Sequence, residues 1–478
     1  MDSTRQAWAE RLFALRTRGS TARTEVLAGA TTFLVASYII FVNAAILSFA
    51  GAPDLAPRGV PFGGVVAATC LVTAVTTLAY GLWANYPFLI APGMGLNAVV
   101  AFQLIAGKGL AWQEAMAVVF LEGLLILLLV LAGVRQTVMA IVPLFLKKAI
   151  GVGIGLFLLL IGLVNGGLVK MSGTAAAPLT LGDYTTLPVL VTFVGLLVTI
   201  TLVVRRVKGA LLGGILLTTL VAILLNLLAG GTAFTTPGMA VLPTRLVSAP
   251  EFTTLGAPFA QVDGVPALVG LWSKLGLLAG VLTVFSLLLS DFFDTMGTVV
   301  GIGSEAGFLD EDGHYRERDL RRILVVDSLG ALVGGWAGCS SATTYIESAA
   351  GVAEGGRTGL AAVVCAVLFG LGMFLSPLVA VVPPQATAPA LILVGLYMCA
   401  MLGDIDWRNP DEALPALATI TMMPFSYSIT NGIGAGFLLH GLVKLLKGQV
   451  HDVHALLWAV NLAFVVYFAL PALALLKG

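Results

Sequence analysis

The chain has 478 residues, of which 58% are hydrophobic and only 10% charged, with a mean hydropathy of +1.01. A soluble fold of this size cannot hide that much apolar side chain, so the composition excludes a water-soluble globular protein. It indicates an all-α polytopic protein of the lipid bilayer. Basic and acidic residues balance at 25 each, which argues against nucleic acid or an acidic macromolecule as partner.

The N-terminal segment, residues 1–24, carries Arg5, Arg11, Arg16, Arg18 and Arg23. It has neither a short apolar core nor a small-residue cleavage site, so it is not a signal peptide. Apolar segments follow at about 25–50, 64–85, 87–105, 112–133, 149–166, 188–204 and 210–229. After a Pro-, Thr- and Gly-rich loop, 230–273, a second set falls at about 275–303, 320–337, 341–354, 358–381, 386–403, 414–429 and 431–447. Seven is odd, so a second group built like the first enters the membrane from the opposite side. That is the arithmetic of a 7+7 inverted repeat of fourteen transmembrane segments. With the N-terminus in the cytoplasm, 19 Lys and Arg up to residue 447 fall on the cytoplasmic side, against Arg58, Lys108, Lys170, Arg245 and Lys274 outside. This satisfies the positive-inside rule. The loop from Asp310 to Arg322 is then cytoplasmic, a solvated turn that helps fix orientation. The last apolar stretch, Leu456 to Leu476, reads as an interfacial helix in preference to a fifteenth span.

Two features stand out against this apolar background. The third segment of each group is interrupted: Ala91-Pro92-Gly93-Met94-Gly95-Leu96-Asn97 in the first, and Gly338 to Ser348 in the second. Paired interruptions of this kind point to the midplane site of a transporter, where half-helices offer unpaired N–H groups. A weaker echo, Leu27-Ala28-Gly29 against Leu278-Ala279-Gly280, sets Asn43 opposite Asp294. The eighth segment carries Asp291 and Asp294 three residues apart on one helical face, with Thr298 on the same stripe. An acid at membrane depth costs about 2.5–3.5 kcal/mol on insertion scales, so these face a polar interior. They form a site, or pair with each other or with Lys274. Glu347, inside the second interruption, either caps the broken helix or accepts from donors on a polar ligand. Asn97 offers both donor and acceptor, to a ligand or to the loose backbone at Gly93–Gly95.

Other intramembrane polar groups read as structural. Glu122 hydrogen-bonds a neighbouring helix or snorkels, and Asp327 has Arg321, Arg322 and Arg357 as candidate cytoplasmic partners. The Glu354-to-Gly359 turn ends one helix and starts another. Cys70, Cys339, Cys365 and Cys399 lack CxxC spacing and read as core residues. His314, His440, His451 and His454 do not cluster at metal-ligand spacing, so neither metal nor cofactor is expected. No GxGxxG at a strand–helix junction, Walker lysine or HExxH motif is present. Ser340, Ser341 and Ser348 have no neighbouring His, which leaves an intramembrane hydrolase unsupported.

Ala91 to Phe102 (APGMGLNAVVAF), Asp291 to Gly301 (DFFDTMGTVVG) and Thr343 to Gly359 (TTYIESAAGVAEGGRTG) resemble the purine permeases of the nucleobase:cation symporter-2 group, in particular its AzgA-like branch. The resemblance runs from about Arg23 through the C-terminal apolar stretch. It implies a uracil-permease-like fold, with a core domain of residues 25–133 and 274–384 and a gate domain of residues 134–229 and 385–447. Residues 230–273 would be an extracellular loop, and 448–478 a C-terminal hydrophobic helix and tail. It further implies a secondary active transporter of the cell membrane that takes up adenine, guanine or hypoxanthine by alternating access. Asn97, Asp291, Glu347, Gly95 and Thr344 would bind the purine, and Asp294, Asp291 and Glu347 would couple the proton. Uracil permeases have a histidine where this chain has Thr298, so here the proton rides on a carboxylate. Three alternatives stay open: Na+ coupling, an anion carrier of the same fold, and a homodimeric working unit. Acids lining the site argue against an anion as substrate.

Overall fold

The computed structural model describes residues 10, 12–50, 52, 54–133, 142–172, 179–234, 239–310 and 315–475. The expectations attached to Arg5, Arg11, Arg135 and residues 311–314 lie outside them. Fourteen segments follow the expected order. In the first group they are α1 (Ala22–Leu47), α2 (Phe62–Ala84), the broken pair β1 (Ile90–Pro92) and α3 (Met94–Gly107), α4 (Trp112–Leu131), α5 (Leu144–Asn165), α6 (Leu187–Val204) and α7 (Ala210–Leu228). The second group begins with α8 (Leu277–Ala306), α9 (Glu317–Ala337) and the broken pair β2 (Ala342–Thr344) and α10 (Ser348–Ala353). It continues through α11 (Gly359–Ala380), α12 (Pro384–Met398), α13 (Pro410–Ser426) and α14 (Ile429–Leu446).

Ten helices among the described residues are long and apolar enough to cross a bilayer. The four segments that are not have physical reasons. Two are the half-helices α3 and α10, α9 carries Glu317, Arg318, Asp319, Arg321, Arg322 and Asp327, and α13 has 17 residues with Pro415 and Pro424 inside it. Helix starts follow local chemistry. The hydroxyl of Thr21 accepts from the Thr24 amide at α1, Ser428 from the Asn431 amide at α14, and the Asn409 amide oxygen from Asp411 N–H at α13. Gly355 at φ +93° ends α10 and Thr358 caps α11, so the turn at Glu354–Gly359 is the stop and restart its sequence predicts. Buried Glu25 accepts from the Arg357 and Thr358 amides and clamps that turn to α1.

The helices pack in two sets. α4 lies against α9, α11 against α1 and α2, and α2 also against α9. In the other set α5 packs on α12 and α13, α6 on α7, and α13 on α14. The α4–α9 contact brings backbones together. A Cβ added at Gly123 would lie 2.3 Å from the Leu332 amide nitrogen, and one at Gly335 would lie 2.5 Å from that of Phe120.

Three details go beyond the sequence reading. The loop before the eighth segment ends in a separate helix, Ala267–Leu275, divided from α8 by Gly276 at φ +75°. Lys274 pairs with Glu114 of α4 at 2.8 Å, so it serves the N-terminal end of that helix and not the acids of α8. Residues 456–475 belong to one helix, α15 (Ala455–Leu475), packed on α14 and α8, with Phe464 buried 6.3 Å from the Phe437 ring. One side of this stretch is therefore covered by protein. Two small hairpins, Val169–Met171 with Leu179–Leu181 and Gln261–Val262 with Val265–Pro266, sit in the connections.

Gly123→Leu should force α4 and α9 apart, at a cost of about 1–3 kcal/mol for overpacking. The expected outcome is a lower melting temperature of the purified protein in detergent; an unchanged one would show that the two helices do not need this approach.

Candidate functional site

The two interrupted segments cross and pair. β1 and β2 run antiparallel with Ile90 opposite Thr344, Ala91 opposite Thr343 and Pro92 opposite Ala342. The ladder extends through Gly93 N–H to Ser341 O at 2.8 Å and Tyr345 N–H to Leu89 O at 2.9 Å. Side chains satisfy what the short strands leave over. Thr77 Oγ1 accepts from Ile90 N–H, Ser348 Oγ accepts from Leu89 N–H, and Tyr345 O–H donates to the Pro92 carbonyl at 2.5 Å. Unpaired backbone deep in a membrane protein costs several kcal/mol per group. This closure is what lets both helices be broken there.

Glu347 lies at the start of α10, half-buried, and its Oε1 accepts from the Tyr38 hydroxyl of α1 at 2.6 Å. Asp294, one turn beyond Asp291 on α8, is within the electrostatic reach of Glu347, Asp291 and Asp327. Tyr38 feels the charges of both Glu347 and Asp294, with Tyr345 beside them. The structure thus brings Glu347 and Asp294 to one place. Asp294 is exposed on a face of α8 that continues through Gly297, Gly301 and Ser304, and neither of those glycines has a neighbour near its missing Cβ. An acid at one end of this run of small residues leaves room beside it for a polar ligand.

Asn97, in the first turns of α3, is fully buried, and neither its amide nitrogen nor its oxygen has a partner among the described residues. The reading in which Asn97 satisfies loose backbone at Gly93–Gly95 is therefore not what forms. Leaving such a buried donor or acceptor unpaired costs about 1–3 kcal/mol, a cost a ligand would remove. Gly95 sits where α3 meets α5: a Cβ there would be 2.4 Å from Ile154 Cγ2. Asp291 is buried and accepts from Ser341 Oγ at 2.9 Å, behind Asp294 rather than beside Glu347.

Thr344 faces inward. Its hydroxyl donates to Asp327 at 2.8 Å and accepts from Tyr80 at 2.6 Å. Asp327 also accepts from Thr344 N–H at 3.0 Å and from Thr295 Oγ1, which in turn accepts from Thr343. Asp327 is thus the hub that holds β2 against α8 and α9, through hydroxyl and amide donors that its sequence position did not suggest. Sequence reading did not single out Tyr38, Tyr345 or Thr295. A buried hydroxyl in an apolar helix carries no periodic signal, and these partners come from elements far apart in the chain. Asn43, set opposite Asp294 by the weak internal echo, donates to Thr69 Oγ1 and to the Cys339 carbonyl, bracing the approach to β2. A cavity of about 420 Å³ among Pro143, Lys148, Asp404, Glu412, His440 and Lys444 lies apart from all of these groups.

The xanthine/uracil permease model, described as the Permease family, matches residues 23–435. Adenine permease AdeP of Escherichia coli strain K12 is 39% identical over 462 residues, which cover 96% of each chain. Guanine/hypoxanthine permease PbuG of Bacillus subtilis strain 168 is 36% identical over 457 residues, covering 94% of this chain and 97% of that one. Among solved structures, the transmembrane domain of the cyanobacterial bicarbonate transporter BicA aligns with a TM-score of 0.58 at 16% identity, covering 87% of this chain and 97% of that one. At that identity the likeness speaks to fold, and it agrees with the 7+7 inverted repeat. Motifs, crossing strands and family match together assign the chain: it is a multi-pass membrane transporter of the xanthine/uracil permease family.

Proposed function

We propose that this permease takes up a neutral purine base together with a proton, by alternating access, with its N-terminus in the cytoplasm. What supports the reading is Glu347, held by Tyr38 and within electrostatic reach of Asp294, together with the buried, unpartnered amide of Asn97 on the other broken segment. A purine presents N–H donors and ring-nitrogen or carbonyl acceptors on its edges. An ionised Glu347 suits the donors, and such charge-assisted bonds are roughly twice as strong as neutral ones. Asn97 can complete the edge with one donor and one acceptor. The adenine and guanine/hypoxanthine permeases at 36–39% identity support the purine class.

In this reading α1–α4 and α8–α11 form the core, and α5–α7 and α12–α14 the gate. The core carries the site past the gate, and the close approach of Gly95 to Ile154 is where the two slide. Carboxylates at the site disfavour anions, so the fold shared with a bicarbonate transporter does not extend to its cargo.

Uptake of labelled hypoxanthine into proteoliposomes tests both substrate and ion. An imposed proton gradient, acid outside, should drive accumulation that a protonophore abolishes. Unlabelled guanine or adenine should compete, and uracil should not. Accumulation driven by a sodium gradient alone would make Na+ the coupling ion, and indifference to both gradients would reject symport.

Removing the hydroxyl that orients Glu347, in Tyr38→Phe, deletes a hydrogen bond to a charged group, about 1.5–3 kcal/mol. Purine affinity should fall roughly 10- to 100-fold with normal expression. Glu347→Gln sets an amide N–H against a purine N–H and should reduce uptake further still. Wild-type affinity in both variants would remove Glu347 from the site.

A further inference from the structure

Glu122, in the middle of α4, is a buried acid that substrate binding does not use. It is fully buried, and neither carboxyl oxygen takes a hydrogen bond from the described residues. From α8 it meets Asp291, itself 1% exposed, and from the broken segment it meets Ser341; Asp327 of α9 lies close enough to act on it electrostatically. The one hydrogen of Ser341 goes to Asp291 Oδ2 at 2.9 Å. The other elements against α4 bring no compensating charge to this point. α3 has no ionisable side chain, the Ala257–Phe259 turn has none, and Lys274 of the helix Ala267–Leu275 is tied to Glu114, two turns away along α4. Gly123 and Gly335 hold the backbone of α4 against that of α9 beside Glu122, which fixes the depth at which its side chain starts.

Two carboxyl groups facing each other out of water cannot both be ionised at an acceptable cost, as close like charges in a low dielectric repel strongly. A single proton between them turns repulsion into an O–H···O⁻ hydrogen bond and satisfies the bare oxygens of Glu122. We infer that Glu122 and Asp291 together hold the transported proton, at a site one turn of α8 behind the purine-facing Asp294. The proton then need not occupy Glu347, which stays an acceptor for the base.

The pair is also mechanically placed for coupling. Ser341 links Asp291 through its hydroxyl and Gly93 through its carbonyl, so a change in proton occupancy pulls on the strand crossing itself. Glu122 is in this sense a positioning and proton-holding residue, without contact to substrate. The two acids share the proton as a unit, and neither is assigned it alone.

The inference rests on the proton-symport reading above, and one experiment separates the two. Glu122→Gln keeps size and hydrogen-bonding capacity but cannot exchange the proton. In proteoliposomes the wild type should accumulate labelled hypoxanthine up to about tenfold per unit of imposed pH gradient, for one proton per base. The variant should still bind hypoxanthine and exchange it across the membrane, yet show no accumulation above equilibration and a flat pH profile. Accumulation by the variant with the wild-type pH dependence overturns the pair. A wild type that ignores the proton gradient overturns symport instead. Should the variant fail to fold, infrared difference spectra of the unmodified protein decide. A protonated-carboxyl C=O band that titrates, and that shifts on hypoxanthine binding, supports the pair, and its absence overturns it.

Discussion

The structure depends on a rule of the bilayer: polypeptide that leaves helical geometry at membrane depth must find its hydrogen bonds inside the protein. Here two breaks answer each other. Residues Ile90–Pro92 and Ala342–Thr344 come from opposite halves of the chain and pair as antiparallel strands. Proline at position 92 has no N–H to satisfy, and its carbonyl is taken by Tyr345. The crossing is possible only because the second half of the chain is inverted relative to the first, which brings two half-helices to a common point from opposite sides.

Around that crossing the acids divide into distinct roles according to their surroundings. Asp327 receives hydroxyl and amide donors from Thr295 and Thr344 and holds the second strand in place. Asp294 lies on an open face of α8, and Glu347 is oriented by a tyrosine hydroxyl from α1. Asp291 turns away from that face toward Ser341 and Glu122. Five acids in the same interior are tolerable because hydroxyl and amide donors take up part of the load and the environment of each differs.

The boundary between the two helix sets combines close packing with few polar ties. Gly95 admits Ile154, and Gln103 of α3 reaches the start of α14, donating to Thr430 Oγ1 at 2.8 Å and accepting from Ile429 N–H at 3.0 Å. Lys208 pairs with Glu354 where the loop between α6 and α7 meets the end of α10. In the proposed alternating access, ties at a few separated points would let one helix set move against the other, since each can be exchanged without unpacking a core.

Much of this was legible in the chain alone. Runs of apolar residues about a bilayer long determined the number and order of the segments, because length and hydropathy are local properties. Odd parity and the distribution of Lys and Arg determined the inverted arrangement. Costly acids at Asp291, Asp294 and Glu347, with Gly- and Pro-interrupted segments, marked the place now proposed for the site. Tertiary structure decided what those acids touch. That Thr344 turns to Asp327, that Lys274 serves Glu114, that Tyr38 holds Glu347 and that Glu122 meets Asp291 are contacts between residues tens to hundreds of positions apart. A side chain's cost at membrane depth is written in its own chemistry, whereas its partner is set by the rotation and crossing of helices packed through residues such as Gly123 and Gly335, which no local pattern encodes.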